Sequence, residues 1–217
     1  MKFQWLGHAC FLITTEGNTR IVTDPFDETV GYPLPRIPAD IVTVSHQHFD
    51  HNAVKTVPGN PKVVQEAGEH VFGQIKITGH NSYHDKKQGS QRGNNIIFVV
   101  ESEGLRVCHV GDLGHLPDKA LVEALGPVDV LMVPVGGYYT IDAGEAAELV
   151  RLLSPPYVLP MHYKTAYVDF PIAPVTDFLK MFPGYGEQEE LVVDRSNLPR
   201  QTTVVKLNLW KTAPENL

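Results

Sequence analysis

Residues 41–44 read Ile-Val-Thr-Val, and Ser45-His-Gln-His-Phe-Asp-His51 follows at once. A continuous apolar run of this length suits a strand buried on both faces. At its end, three histidines and an aspartate fall within six residues, in a chain with ten histidines in all. Four polar side chains crowded against a buried strand cost stability unless something binds them. A metal centre meets that condition. His46 and His48 are two apart and share a face in an extended segment, so both can reach one ion. If the chain then turns into a helix, Asp50 and His51 point elsewhere, toward a second ion. Imidazoles with a carboxylate suit Zn2+ with no thiolate required, and they also suit iron or manganese.

Other strand signals frame this segment. Residues 2–5, 10–14 and 19–23 are short, β-rich and separated by Gly- or Asn-bearing turns, which predicts an antiparallel meander. Prolines 33, 35 and 38 make 31–38 a loop. Strands are expected again at 62–65 and 75–78, followed by a long polar loop over 79–95 and strands at 96–101 and 105–110. Residues 117–125 predict a helix stopped by Gly126. Residues 128–135 predict a buried strand. Asp142-Ala-Gly-Glu145 has capping-box spacing, so a helix is expected to run on to about Leu153. A short strand at 157–159, a helix over 174–182 and a last strand at 202–209 complete the pattern. Strands first, then strand–helix alternation, fit an α/β sandwich. No internal repeat or linker stands out, and residues 1–217 are expected to form a single domain.

Several unusual polar residues share one kind of position. Asp112 follows the strand at 105–110, His162 follows 157–159, Gly136-Gly137 follows 128–135, and His84 lies in the long loop. Loops just past strand ends, at one edge of a sheet, are where α/β proteins gather ligands. His70, His80 and His109 read more readily as hydrogen-bonded or surface histidines.

Composition removes some classes. The hydrophobic share of 42% and charged share of 20% are those of a globular domain. No run of about 18 apolar residues occurs, so no membrane span is expected. The opening MKFQWLGHACFLITTEG reads as a strand rather than a signal peptide. A formal charge of −7 argues against extended nucleic acid as a partner. It leaves small anionic substrates open, because a bound metal can dominate the local field. Cys10 and Cys108 sit in strand-like runs and read as buried free thiols, which fits a cytoplasmic location. A homo-oligomer stays open.

His46-Gln-His48-Phe-Asp50-His51 resembles the HxHxDH signature of the metallo-β-lactamase superfamily. The resemblance extends along nearly the whole chain. Thr23-Asp24-Pro-Phe26 is similar to an early motif of that superfamily. Ser82-Tyr-His84-Asp85 is similar to its lone later histidine, His109-Val-Gly-Asp112 to its bridging aspartate, and Leu159-Pro-Met-His162 to its last histidine. Trp5-Leu-Gly-His8 and Pro134-Val-Gly-Gly137 resemble the branch of ascorbate-6-phosphate lactonase and N-acylphosphatidylethanolamine phospholipase D. The resemblance implies a four-layer αββα sandwich with two divalent ions, Zn2+ expected and Mn2+, Fe2+ or Ni2+ as alternatives. His46, His48 and His84 then bind the first ion. Asp50, His51 and His162 bind the second, and Asp112 bridges both. His80 competes with His84 for the loop position, and Asp85 beside His84 favours the latter. Asp24 is expected behind the metal loop, hydrogen-bonded to it. Among residues offered a catalytic part, Asp50 can orient the nucleophile or pass a proton. His8 and His115 are further candidates, and Tyr138 and Tyr139 are candidates for substrate contact.

The expected reaction is hydrolysis of an ester, lactone or phosphodiester of a small molecule by a hydroxide held between two ions. A small phosphodiesterase or nuclease of the same fold is the nearest rival. A non-catalytic metal-binding sensor is the rival from another class, and a complete set of seven ligand positions argues against it.

Overall fold

The computed structural model describes residues 1–210. β1 (Lys2–Gly7), β2 (Cys10–Thr14) and β3 (Arg20–Thr23) form the antiparallel meander. β4 (Ile41–Thr43) and β5 (Lys62–Val64) extend it in parallel. The chain then builds a second sheet. β6 (Gly68–Phe72), β7 (Ile75–Tyr83), β8 (Asn94–Ser102) and β9 (Leu105–His109) run antiparallel in turn. β10 (Val130–Pro134) and β11 (Tyr157–Met161) continue from β9 in parallel. β12 (Gly186–Gln188) takes the far edge, β13 (Leu191–Val192) returns to pair with β1, and β14 (Thr203–Leu207) lies between β12 and β11. The two sheets hold six and eight strands among the described residues.

Burial explains why these segments become strands. Phe3, Phe11, Ile13 and Ile21 of the first sheet and Ile77, Ile97, Phe98 and Leu131 of the second share one apolar core. Each such side chain contributes roughly 1.5–3 kcal/mol when taken from water. Every residue of β10 is buried, as a central parallel strand requires.

Three α-helices lie in the second half of the chain among the described residues. α1 (Lys119–Leu125) is capped by Asp118, whose carboxylate accepts the Leu121 N–H at 2.8 Å. α2 (Ala143–Leu153) starts at the expected capping box, with Asp142 and Glu145 bonding each other's backbone N–H groups. It packs on β10 and on α3 (Thr176–Leu179). The first half carries two 3-10 turns, Glu28–Val30 and Val54–Thr56.

The structure departs from the sequence pattern in three places. The long loop shrinks to residues 84–93, because β7 runs on to Tyr83 and pairs His80, Asn81 and Ser82 with β8. Those residues lack apolar alternation, and hydrogen bonds exchanged between Ser82 and Asn95 take its place in the ladder. The helix expected over 174–182 is a single turn, since Val175 offers no side-chain cap. The short edge strands β6, β12 and β13 carry too little apolar pattern to announce themselves.

One edge of the sandwich gathers the chemistry. β1, β3, β4, β7, β9 and β11 deliver His8, Asp24, His46, His84, Asp112 and His162 just past their C-terminal ends. Asp142→Ala is expected to lose the α2 cap and about 0.5–2 kcal/mol of stability. A thermal melt should fall by about 2–4 °C for each kcal/mol lost.

Candidate metal centre

Asp112 Oδ2 lies at the middle of the edge cluster. Four imidazole nitrogens surround it: His51 Nε2 at 3.2 Å, His84 Nε2 at 3.3 Å, His162 Nε2 at 3.3 Å and His46 Nε2 at 3.9 Å. The donors fall into three overlapping groups among the described residues: His46 with His48 and His84; His8 with Asp50, His51 and His162; and Asp24 with His46 and His51 behind them. Within each group the donor atoms lie within 4.8 Å of one another. His46 Nε2, His51 Nε2 and Asp112 Oδ1 are buried without a hydrogen-bond partner. Unpaired buried polar atoms of this kind are costly, and divalent cations held through them would satisfy them. The residues present therefore fit metal ions.

The cluster is held from behind. The buried Asp24 carboxylate accepts from the Ser45 N–H at 2.7 Å, the Ser45 hydroxyl at 2.5 Å and His51 Nδ1–H at 2.9 Å. With its proton spent on Asp24, Ser45 Oγ accepts from His46 Nδ1–H at 2.9 Å. Both histidines are thereby turned with Nε2 toward Asp112. The turn after His48, closed by His51 N–H and Asn52 N–H on the His48 carbonyl, separates Asp50 and His51 from His46 and His48.

Asp112 has its own support. Asn95 accepts the Asp112 N–H at 2.9 Å and donates to Ser82 Oγ and the Val110 carbonyl. Gly111 has φ +56°, and a Cβ there would stand 2.4 Å from Asn95 Oδ1. A Cβ on Gly114 would stand 2.3 Å from the Asp85 nitrogen. Only glycine lets these loops approach so closely.

His8, Asp24 and His162 hold left-handed backbones, with φ of 52°, 40° and 51°. Such conformations cost on the order of 1–3 kcal/mol each and persist where their surroundings fix them. The His8 carbonyl accepts from Trp5 Nε1–H at 2.9 Å and from the His162 N–H at 3.1 Å, which ties β1 to β11. The His8 ring is buried and its Nε2–H donates to Asp50 Oδ2 at 3.1 Å.

The remaining candidates separate cleanly. His84, not His80, joins the cluster; His80 lies on β7, opposite Ile97. His109 donates from Nε2 to the Ala9 carbonyl at 2.8 Å and is satisfied there. His70 bonds the Glu66 carbonyl. The structure does not bring His115 to the cluster: it lines a separate recess with Tyr83, Lys86 and Asp118, its Nδ1 bonded to the Leu116 carbonyl. Tyr139 lines the cleft over the cluster, while Tyr138 lines a neighbouring recess. Ser45, Asn95 and Arg92 escaped the sequence reading. Ser45 and Asn95 act through hydrogen bonds between distant segments, for which a single chain of letters carries no signal.

A model of the β-lactamase superfamily domain matches residues 2–162. The chain belongs to the metallo-β-lactamase superfamily. A UPF0173 metal-dependent hydrolase of Thermoplasma volcanium is 31% identical over 196 residues, 76% of this chain and 84% of that protein. A crystal structure from Thermotoga maritima, a candidate Zn-dependent hydrolase of the superfamily, is 44% identical with TM-score 0.80. The match covers 95% of this chain and 97% of that one. A metallo hydrolase from the archaeon Ignicoccus hospitalis shares the fold at 19% identity, TM-score 0.67, covering 98% and 97% of the two chains. The chain is thus a metal-dependent hydrolase with the α/β architecture of that superfamily. No helix among its described residues is long and apolar enough to cross a membrane.

The superfamily's cluster has an electrostatic logic here. Burial pushes His46 down to about 3 and His8 down to about 4, with neighbouring imidazoles adding to the shift. Both stay neutral with a lone pair to offer. His51 behaves oppositely. Burial opposes its charge, but the Asp112 and Asp50 carboxylates beside it hold it well above the usual imidazole range. Burial likewise opposes charge on Asp112, and His162 and His51 hold its carboxyl well below the usual range. Asn95→Ala is expected to strand the Asp112 N–H, costing about 1–3 kcal/mol in chemical denaturation. It should also weaken metal binding by roughly 10–100-fold in a competition assay with a chelating dye.

Proposed function

We propose that this hydrolase cleaves an ester, lactone or phosphodiester of a small molecule with the help of two divalent ions, Zn2+ first among them. His46, His48 and His84 would hold one ion, Asp50, His51 and His162 would hold its neighbour, and Asp112 would serve both. The convergence of four imidazole nitrogens on one Asp112 oxygen is the observation that supports this most directly. A paired-ion site supplies Lewis acidity and lowers the pKa of water toward neutrality.

The protein's own groups do the rest. Asp24 and Ser45 fix the ring orientations of His51 and His46, so the donors are aimed before anything binds. Asp50 is partly exposed and lines the cleft, where its carboxylate can orient the attacking water and later carry a proton to the leaving group. His8 steadies Asp50 by donating to Oδ2. Phe49, Tyr139 and Phe170 give the cleft apolar walls that exclude competing water. His115 has no part in this scheme.

Metal analysis of fully loaded protein should find close to two ions per chain; none under replete conditions would sink the reading. Asp112→Ala should keep the far-UV spectrum and lose bound metal. Hydrolysis across an ester, lactone and phosphodiester panel should fall by more than the ~100-fold that losing a residue behind a ligand costs. Full activity in that variant refutes the shared role of Asp112.

Metal uptake should also move a proton. In metal-free protein the Asp112 and Asp50 carboxylates beside His51 raise its pKa and favour its protonated form. An ion needs that lone pair, so binding expels the proton. Affinity should therefore strengthen as pH rises, until His51 deprotonates unaided. Titrating ions into weakly buffered protein with a pH indicator reads this directly, and uptake with no proton release contradicts it.

A further inference from the structure

The cleft above the cluster has a volume of about 460 Å3, the size of a small-molecule site. Its carboxylates, Asp50 and Asp112, face histidines of the cluster. Its one lysine or arginine among the described residues is Arg92. Elsewhere half-buried cations are engaged: Arg106 and Lys76 with Glu101, and Lys206 with Glu187. Arg92 meets no carboxylate among the described residues. Its guanidinium lies over the Tyr139 ring, Cζ 5.5 Å from the centroid. The Arg92 side chain donates no hydrogen bond among the described residues, so its guanidinium keeps the N–H fork that matches an oxyanion.

Arg92 is also held in place. The buried Asp85 carboxylate accepts four backbone N–H groups of its own loop: Lys87 at 2.7 Å, Gly89 at 3.0 Å, Gln91 at 2.9 Å and Arg92 at 2.8 Å. The His84 N–H closes the loop on the Gly93 carbonyl at 3.0 Å. The root of the Arg92 side chain is therefore fixed relative to His84, which reduces the ordering cost of binding. Phe49, half exposed, and Phe170, edge-on to Tyr139 at 6.2 Å, supply apolar surface for a carbon skeleton.

We propose that the cleft selects substrates carrying an oxyanion, carboxylate or phosphate, remote from the bond that is cut, and that Arg92 is the residue that binds it. This rests on the hydrolase reading above and adds the substrate class. An otherwise acidic chain, of formal charge −7, presents a single cation at this cleft, and that cation draws anions toward the metal-binding cluster.

The test uses metal-replete protein and four p-nitrophenyl esters of equal acyl length, ending in methyl, carboxylate, phosphonate or ammonium. Wild type should prefer an anionic end over methyl by about tenfold or more in kcat/KM, the size of one charge-assisted hydrogen-bond pair. The preference should enter through KM. Arg92→Ala should abolish it and Arg92→Lys should restore part of it. The stronger of the carboxylate and phosphonate arms identifies the natural anion. Equal rates across the four ends, or a preference that survives Arg92→Ala, overturn the proposal. A second measurement is independent of turnover: calorimetric binding of butyrate, glutarate and 4-phosphonobutyrate to metal-loaded protein. Each offers one carboxylate to the metals, so the gain from the second anionic group isolates Arg92. That gain should vanish in Arg92→Ala, and an unchanged gain overturns the proposal. If no ester is cut yet the gain is present and Arg92-dependent, hydrolysis of such esters fails while the anion site stands.

Discussion

One buried carboxylate orders the centre of this protein. Asp24 sits at the end of β3 and takes three hydrogen bonds from the next strand's terminal segment. Without a charge partner it would be expensive there; burial works against its ionisation, and the bond from His51 with nearby imidazoles holds its pKa below the usual range. Because a carboxylate only accepts, each group facing Asp24 is forced to donate. That single condition passes through Ser45 to His46, and directly to His51, and determines which ring nitrogen of each faces Asp112. The orientation of the cluster is thus set by a residue that need not touch an ion.

The same edge is where the two sheets are stitched together. His162 N–H reaches the His8 carbonyl, Ile96 N–H reaches the Ser45 carbonyl, and His109 reaches the Ala9 carbonyl. Each bond joins a strand end of one sheet to the other. The left-handed residues His8 and His162 lie in these junctions. Backbone conformations of that kind hold only when several contacts fix them, and here the contacts come from both sheets. Positioning of the donors and closure of the sandwich are therefore the same set of interactions.

How much of this the letters reveal depends on the range of the physics. The buried strand at 41–44, the capping box at Asp142 and the donors within His46–His51 are local patterns, and each is legible. The remaining cluster members, His84, Asp112 and His162, are placed by resemblance and by their strand-end positions. The extension of β7 to Tyr83 is invisible, because its outward side chains are polar and its partner strand is what makes it a strand. Asn95 reads as an ordinary loop residue until it is seen between Ser82, Val110 and Asp112. His115 shows the reverse case. Its motif context draws attention, yet two residues beyond Leu113 the chain has already turned away from the cluster.

The Asp85 clamp divides labour within one loop. It grips main-chain N–H groups, which every residue but proline possesses, and ignores the side chains attached to them. The identities of residues 87, 91 and 92 can therefore drift without loosening the loop or displacing His84. A lineage with this arrangement can exchange one leaving partner or binding group for another while its inorganic chemistry stays put. Diversity among relatives should then concentrate in those few side chains, and a designer seeking a new specificity has a ready-made place to write it.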